Sequence, residues 1–277
     1  METSMPAEDP PQTGLVAARD PPVDLEAWRR MFWICGGCPL RRYGSAGDGG
    51  YLLCDLQDRN STMTPAYSYG IDGRDDWGQE VAARTGARLF QFDCFNTTGT
   101  ECRSQDMMCP PTKFRAECLG VPGCSFDLPS GSLQEHFWRN HVRGFHPSAV
   151  ADRSLLLKAD IEGFEWDVFA TAEPQLLRKF SQIVVEFHFP FLRIPIPESF
   201  HVVHQKALKN LLSLFVVVHV HPNPICRDPE LGTCIEVTFA EPRLVNRHSC
   251  RPPRANHLDE RSVDEENLDL WSIFREP

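Results

Sequence analysis

No apolar run in the chain approaches the roughly 20 residues that cross a bilayer, so no transmembrane helix is expected. Basic residues are the minority charge: 28 Lys and Arg stand against 38 Asp and Glu, a formal net charge of −10. No Lys/Arg block reverses that balance locally, which argues against nucleic acid as a partner. The first stretch, METSMPAEDPPQTGLVAARDPP, lacks both a basic n-region and an apolar h-region. No signal peptide is read there, and the cytosol is the resulting expectation. Residues 1–23 read as a disordered leader rich in proline and acids. A GxGxxG loop is also missing, since Gly70-x-x-Gly73 is the best approximation, and a phosphate cradle is unsupported. No second CxxC follows Cys35-Gly-Gly-Cys38 at ribbon spacing, which weighs against zinc and leaves a disulfide, a redox pair or plain thiols open.

What is present fits one large α/β domain over residues 24–245, followed by a charged tail at 246–277. Hydrophobic residues make up 42% of the chain, enough for a sizeable core. Eleven cysteines are the complication, because Cys102, Cys109, Cys118 and Cys124 crowd one loop-like stretch. Such crowding suits disulfides in an oxidising compartment. The sequons at Asn60 and Asn96 point the same way, so the secretory-pathway lumen stands as the alternative to the cytosol.

The chain is organised around Leu155–Trp166, LLLKADIEGFEW. An apolar run ending in two acids and a glycine is how a buried parallel strand looks where it leaves its sheet. Ligands bind at those carboxyl ends, so Asp160 and Glu162 are candidates to face an active site; capping of the next helix is the competing role. Upstream, DLEAWRRMFWI (24–34) reads as a short helix with Asp24 as N-cap, and Asp48-Gly-Gly before YLLCD as a hairpin turn. AYSYGI (66–71) and LFQF (89–92) read as strands around a helix at 78–85 that Gly86 closes. This β-loop-α-β unit ends at Asp93, placed to accept from both hydroxyls of an adenosyl ribose or, more plainly, to be a loop acid. Residues 94–130 form a Cys-rich insertion without periodicity, holding at most one short strand near 125–128. Helices are read at 132–142, at 164–180 with a break at Pro174, and at 201–213. Strands are read at 182–189, 214–220 and 234–240, with a rigid apolar loop at 190–197. No helical period separates the last two strands, so they form an antiparallel hairpin. The His219-x-His221 pair shares one strand face, as a metal pair would and as ordinary strand-end histidines do.

Taken together, LLKADIEGFEW, DGGYLLCD, YSYGIDGRDDW, LFQFDCF, QIVVEFHF and VHPNP…CIEVTF resemble the methyltransferase-like protein 24 family, itself related to FkbM-type methyltransferases. The resemblance spans roughly residues 32–240 and departs from the family in the Cys-rich insertion. It implies a doubly wound, mostly parallel seven-stranded sheet of the Rossmann-like class I methyltransferase type, with a final antiparallel strand. It also implies S-adenosyl-L-methionine as cofactor, held by Tyr69, Gly70, Asp72, Gly73 and Asp93. Asp160, Glu162 and His188 become the catalytic candidates, and Glu186, His221 and Asn223 the substrate-binding ones. No metal ligand set is assigned. The expected reaction is O-methylation of a small molecule or glycan. The alternatives are a methyltransferase fold that binds without turnover and a luminal glycan-modifying or glycan-binding protein.

Overall fold

Three leucines in a row set the centre of the molecule. In the structure, a computed structural model that describes residues 25–56, 65–96, 112–120, 129–141, 150–189, 198–228, 232–245 and 250–259, Leu155–Ala159 is a strand buried at every position. The described elements are, in order, α1 (Leu25–Arg30), β1 (Ile34–Cys35), β2 (Leu40–Tyr43), β3 (Tyr51–Cys54), β4 (Ala66–Tyr69), α2 (Asp76–Thr85), β5 (Leu89–Asp93), β6 (Thr112–Ala116), β7 (Cys118–Leu119) and β8 (Ser130–Gly131). They continue with α3 (Leu133–His141), β9 (Leu155–Ala159), α4 (Glu165–Thr171), α5 (Pro174–Leu177), β10 (Phe180–Phe189), α6 (Glu198–Leu212), β11 (Val216–Asp228), β12 (Gly232–Ala240) and β13 (Cys250–Arg251).

The main sheet has seven strands in the order β11-β12-β10-β9-β4-β5-β6. Pairings of β10 with β9, β9 with β4, β4 with β5 and β5 with β6 are parallel. Only β12 runs against its neighbours, β10 and β11. The fold is therefore a mixed α/β sheet, mostly but not purely parallel. The physical reason is connection length: helices lie in the crossovers from β4 to β5, β6 to β9 and β9 to β10, whereas β11 returns to β12 directly, with Asp228 opposite Gly232. From β4 the chain winds outward to β5 and β6, then returns to place β9 on the other side of β4. That reversal creates a crevice at the carboxyl ends of β4 and β9.

Alternation along the strands sorts the two faces. Leu155, Leu157 and Ala159 join Tyr67, Tyr69, Phe92, Phe169 and Phe187 in the larger core, covered by α3, α4 and α6. Leu156 and Val184 turn to the other face and pack with Tyr43, Tyr51, Leu53, Trp77 and Val81. The β2–β3 hairpin, pairing Tyr43 with Tyr51, and α2 cover that second face. Lys158 and Glu186, in step with Leu156 and Val184, are thereby aimed at the hairpin. Among the described residues, no helix is long and apolar enough to cross a membrane.

Several boundaries differ from expectation for local reasons. Helix α1 stops at Arg30, because Ile34 and Cys35 instead pair with Arg251 and Cys250; Asp24 lies outside the described residues. Helix α2 begins at Asp76, since the buried Asp75 caps it by accepting from the Gly78 amide at 2.8 Å. Pro174 splits the helical stretch as expected, but Phe180 belongs to β10. The insertion contributes a full edge strand, β6, at Thr112–Ala116; the stretch 125–128 and the loop at 190–197 lie outside the described residues.

The CxxC cysteines do not pair with each other. Cys35 is joined to Cys250 and Cys38 to Cys54, so the motif is neither a redox pair nor half a zinc site. A third disulfide links Cys94 to Cys118. The first of these carries residues 250–259 back onto the domain, where an Asp259 oxygen accepts from the His219 ring at 2.7 Å.

Candidate functional site

The crevice between β4 and β9 opens into a cleft of about 500 Å³. Tyr69, Gly70, Asp72, Asp93, Asp160 and Glu162 line it, together with Asp48, Glu117 and the apolar side chains of Phe92, Leu119 and Phe164. Gly70 lets the two strands touch there: its φ is +69°, and a Cβ would fall 1.5 Å from the Asp160 carbonyl oxygen. The Asp160 amide donates to the Tyr69 carbonyl at 3.2 Å and completes the contact. Asp72 and Glu162 are held in the left-handed region, with φ of 41° and 57°. Gly73 supplies conformational freedom to the first of these turns and is not a lining residue.

Asp93 is buried at the end of β5 and occupied on both oxygens. Its Oδ2 accepts from the Ile71 and Asp72 amides, each at 2.7 Å, and its Oδ1 from the Phe95 and Asn96 amides, each at 2.8 Å. A carboxylate offers about four acceptor positions, and these four bonds use them. Asp93 is thus a clasp between two loops, and a ribose would have to share it. On the same lip, Asp72 is exposed, and its carboxylate meets the Asn96 amide group at 3.4 Å.

Behind Asp160 runs a buried polar chain. Lys158 donates to the Gly70 carbonyl and to Asp160 Oδ2, the latter at 3.2 Å. The Tyr51 hydroxyl lies 3.2 Å from the same Asp160 oxygen and 3.1 Å from Glu186 Oε2. Asn223 donates to Glu186 Oε1 at 2.9 Å. Burial first, then the Asp160 charge, pushes Glu186 up to about 8. Burial and the Asp160 and Glu186 charges raise Tyr51 well above its ordinary range. Lys158 keeps its proton: burial opposes the charge, but Asp160 and Asp75 more than offset it.

His188 sits on the other side of Asp160. Its Nδ1 is 3.0 Å from Glu165 Oε1, and its Nε2 is 3.3 Å from Glu162 Oε2 and 3.9 Å from Asp160 Oδ1. Glu165, fully buried, is itself fixed by the amides of Ile161 at 2.8 Å and Gly163 at 3.1 Å. The Trp166 indole donates to the His188 carbonyl at 2.9 Å. Burial alone would lower the imidazole, but the Glu165 bond and charge, then Asp160 and Glu186, bring it up to about 9. In its protonated form the ring is suited to orient carboxylates and not to take a proton.

The cofactor candidates Tyr69, Gly70, Asp72 and Asp93 therefore share one cleft with Asp160 and Glu162, and His188 stands directly behind. The substrate candidates do not line it. Glu186 and Asn223 bond each other behind Tyr51, and His221 lies 3.6 Å from Asp259, across the register from Glu236. The reversed strand β12 separates β11 from the crevice, which places His221 too far along the sheet. Two residues matter that sequence reasoning passed over, Tyr51 and Glu165. Glu165 carried a signal, as the second acid of EGFEW, but it read as the first turn of a helix. Among the described residues, two groups of side chains bring metal-type ligand atoms within 4.8 Å of one another, Asp160–Glu162–His188 and Glu186–His188–Cys234. Cys234 is disulfide-bonded, which removes the second.

No protein-family model matches the chain, and no curated protein matches it either. Among solved structures, it is similar to a putative hemolysin from Streptococcus thermophilus, at 12% identity over 70% of this chain and 72% of that one, with a TM-score of 0.33. It is also weakly similar to a TehB-like SAM-dependent methyltransferase from Corynebacterium glutamicum, at 9% identity over 65% and 82% of the two chains, with a TM-score of 0.31. Likenesses at this level say nothing about chemistry.

Proposed function

We propose that the chain is an S-adenosylmethionine-dependent methyltransferase acting on a hydroxyl oxygen of a small molecule or glycan. The observation that carries this reading is the meeting of the Gly70 turn with Asp160 at the switch point of a seven-stranded sheet whose last strand is reversed, the arrangement that the resemblance to FkbM-type methyltransferases implies. The cleft also suits a sulfonium: among the described residues its lining includes Asp48, Asp72, Asp93, Glu117, Asp160 and Glu162 and neither Lys nor Arg.

When bound, S-adenosylmethionine supplies an electrophilic methyl group. The Tyr69–Gly73 turn would hold it, with Asp72 the acid that best retains acceptor capacity for its hydroxyls. Asp160 Oδ2 is engaged by Lys158 and Tyr51, which leaves Oδ1 as the oxygen that would take the proton of an acceptor hydroxyl, while the sulfonium carbon–sulfur bond would break with its electron pair left on sulfur. His188 and Lys158 hold that carboxylate in place, so much of the rate arises from positioning.

Calorimetry on the folded chain with S-adenosylmethionine and S-adenosylhomocysteine tests the reading. Binding of both, weakened by Asp72→Ala, is the expected result; no binding of either removes the enzyme reading. If Asp93→Ala weakens binding and Asp72→Ala does not, the ribose acid is Asp93 after all. A methyltransferase fold that only binds would take up cofactor yet transfer no methyl group to any hydroxyl compound.

The compartment is a further part of the proposal. Three disulfides tie Cys35, Cys38 and Cys94 to distant partners, and such bonds persist in oxidising surroundings. They favour the secretory-pathway lumen, where a glycan is the natural acceptor. Mass spectrometry of native cysteines from cells decides between that and a cytosolic thiol protein.

A further inference from the structure

We propose that Asp160, Glu162 and His188 form a binding site for one divalent first-row transition-metal ion beside the acceptor position of the cleft. The site stands on its own geometry; its use in orienting an acceptor hydroxyl rests on the methyltransferase reading.

The donors come from three separate places, the end of β9, the turn after it and the end of β10, yet their ligand atoms lie within 4.8 Å of one another. One imidazole with two carboxylates is a mixed set. It suits Mn²⁺, Fe²⁺ or Zn²⁺ better than Mg²⁺ or Ca²⁺, which favour oxygen alone. Three protein ligands leave coordination positions for water or a substrate hydroxyl, whose oxygen the ion would polarise.

A supporting shell accompanies the donors. Metal-bound histidines generally give their other ring N–H to a carboxylate, which fixes the tautomer and the ring direction. Glu165 occupies that position, 3.0 Å from Nδ1, fully buried and pinned by the Ile161 and Gly163 amides. Nε2 is thereby the nitrogen turned toward Asp160 and Glu162. Asp160 is divided in a compatible way: Lys158 and Tyr51 take Oδ2, and Oδ1, the oxygen 3.9 Å from Nε2, would bind the ion in place of acting as the base itself. Glu162 accepts a left-handed backbone, φ 57°, uncommon for a residue with a side chain, and its carboxylate reaches to 3.3 Å from Nε2.

Charge points the same way. Among the described residues the cleft wall carries six carboxylates and no Lys or Arg, and the nearby ammonium of Lys158 is already bound to the Gly70 carbonyl. The rival explanation is that a protonated His188 is itself the cation that three acids require.

Titration of Mn²⁺ into the folded full-length chain separates these, read by loss of the free-ion electron paramagnetic resonance signal. One saturable ion per chain is expected, weakened at least tenfold by Glu162→Gln and by His188→Asn, and by about 10–100-fold by Glu165→Gln as a positioning residue. Glu162 is 63% exposed in its side chain, so its variant is expected to fold and decides alone if the His188 variant does not. No saturable binding by wild type overturns the site, as does unchanged affinity in folded Glu162→Gln. Calorimetry with S-adenosylmethionine runs in parallel. Cofactor binding without Mn²⁺ binding overturns the metal site alone; Mn²⁺ binding without cofactor binding supports the site and removes the methyltransferase reading.

Discussion

The Tyr51 hydroxyl stands 3.2 Å from Asp160 Oδ2 and 3.1 Å from Glu186 Oε2, joining the cleft to a carboxyl buried behind it. A phenol has one proton to donate. Asp160 is the acceptor consistent with the neighbouring charges, since Glu186, pushed up to about 8 by burial and by Asp160, carries its own proton at neutral pH and can donate to Tyr51 in turn. Replacing Tyr51 with Phe removes both bonds, leaving the part-buried Asp160 oxygen short of a donor and the buried Glu186 carboxyl short of an acceptor. A loss of about 1–3 kcal/mol in unfolding free energy is expected. Turnover should fall while cofactor affinity changes little. Denaturant unfolding and calorimetry measure the two effects separately; unchanged stability would mean that water replaces the hydroxyl without cost.

Gly70 is the contact between β4 and β9. Its φ of +69° disfavours any side chain, and a Cβ would lie 1.5 Å from the Asp160 carbonyl oxygen, a backbone atom that cannot rotate away. Gly70→Ala should cost at least about 2 kcal/mol, by strain at a left-handed position plus displacement of the strand end. Gly86, also left-handed at φ +69° but open around its Cβ, is the control. Gly86→Ala should cost less, since only the backbone preference is lost. Equal thermal shifts in the two variants would remove the argument for close approach at Gly70.

Lys158 is the cation of this buried network. It is 5% exposed and lies between the Gly70 carbonyl and Asp160, with its Nζ 5.6 Å from the centre of the Tyr51 ring. Lys158→Met preserves the stem and deletes the charge, leaving Asp160 and the buried Asp75 without it. Removing one partner from a buried ion pair typically costs about 3–5 kcal/mol, and a loss in that range is expected by chemical unfolding. A loss below about 1 kcal/mol would show that solvent reaches these carboxylates freely.

Cys35–Cys250 closes a loop across 215 positions of sequence. The chain-entropy model gives such a closure about 5 kcal/mol, an upper figure because native strain and residual unfolded structure reduce it. Cys35→Ser should lower the denaturant midpoint markedly and loosen β1 and β13, which pair only through Ile34–Arg251 and Cys35–Cys250. Proteolysis near 250–259 under native conditions should rise with it. Retention of the wild-type midpoint would mean that this tether adds nothing beyond the pairing.

The parts legible in sequence were those with local causes. LLLKA announced β9 because three consecutive leucines can only be buried on both faces, and Asp48-Gly-Gly announced the hairpin because its turn needs those residues. The missing helical period between β11 and β12 gave their antiparallel pairing. Strand β6 was hidden: TKFRA is a half-exposed edge strand that pairs only with β5, so no apolar pattern marks it. Tyr51 was hidden by distance, its partner Asp160 lying 109 positions away. Cysteine connectivity was never deducible, because spacing alone permits many pairings. The place of His221 was equally hidden, because the strand order that sets β11 beyond β12 and β10 is a long-range feature.

His136 offers a pH test outside the proposed set of metal ligands. Its ring stacks on Phe92 at 4.4 Å, and burial, offset in part by Glu117, lowers it to about 4. The charged groups acting on it are Glu117 at 3.3 Å from Nε2, Arg139, which is bonded to the same carboxylate, and Arg115. A folded-state value below the unfolded one means that the unfolded chain binds the proton first as pH falls. The contribution is therefore complete above about 6.5, the ordinary imidazole value, and is lost progressively as pH falls from there through about 4. Over that window it amounts to at most roughly 3 kcal/mol. Carboxylates such as Glu117 titrate near the lower end and would blur a single curve, so the measurement is a difference. Thermal midpoints of wild type and His136→Gln are compared from pH 7.5 down to pH 4.5. The variant cannot take up that proton, and the gap between the two should narrow as pH falls, or reverse. A constant gap across the range would show that His136 titrates alike in the folded and unfolded chain, and that its stacking on Phe92 leaves it open to water.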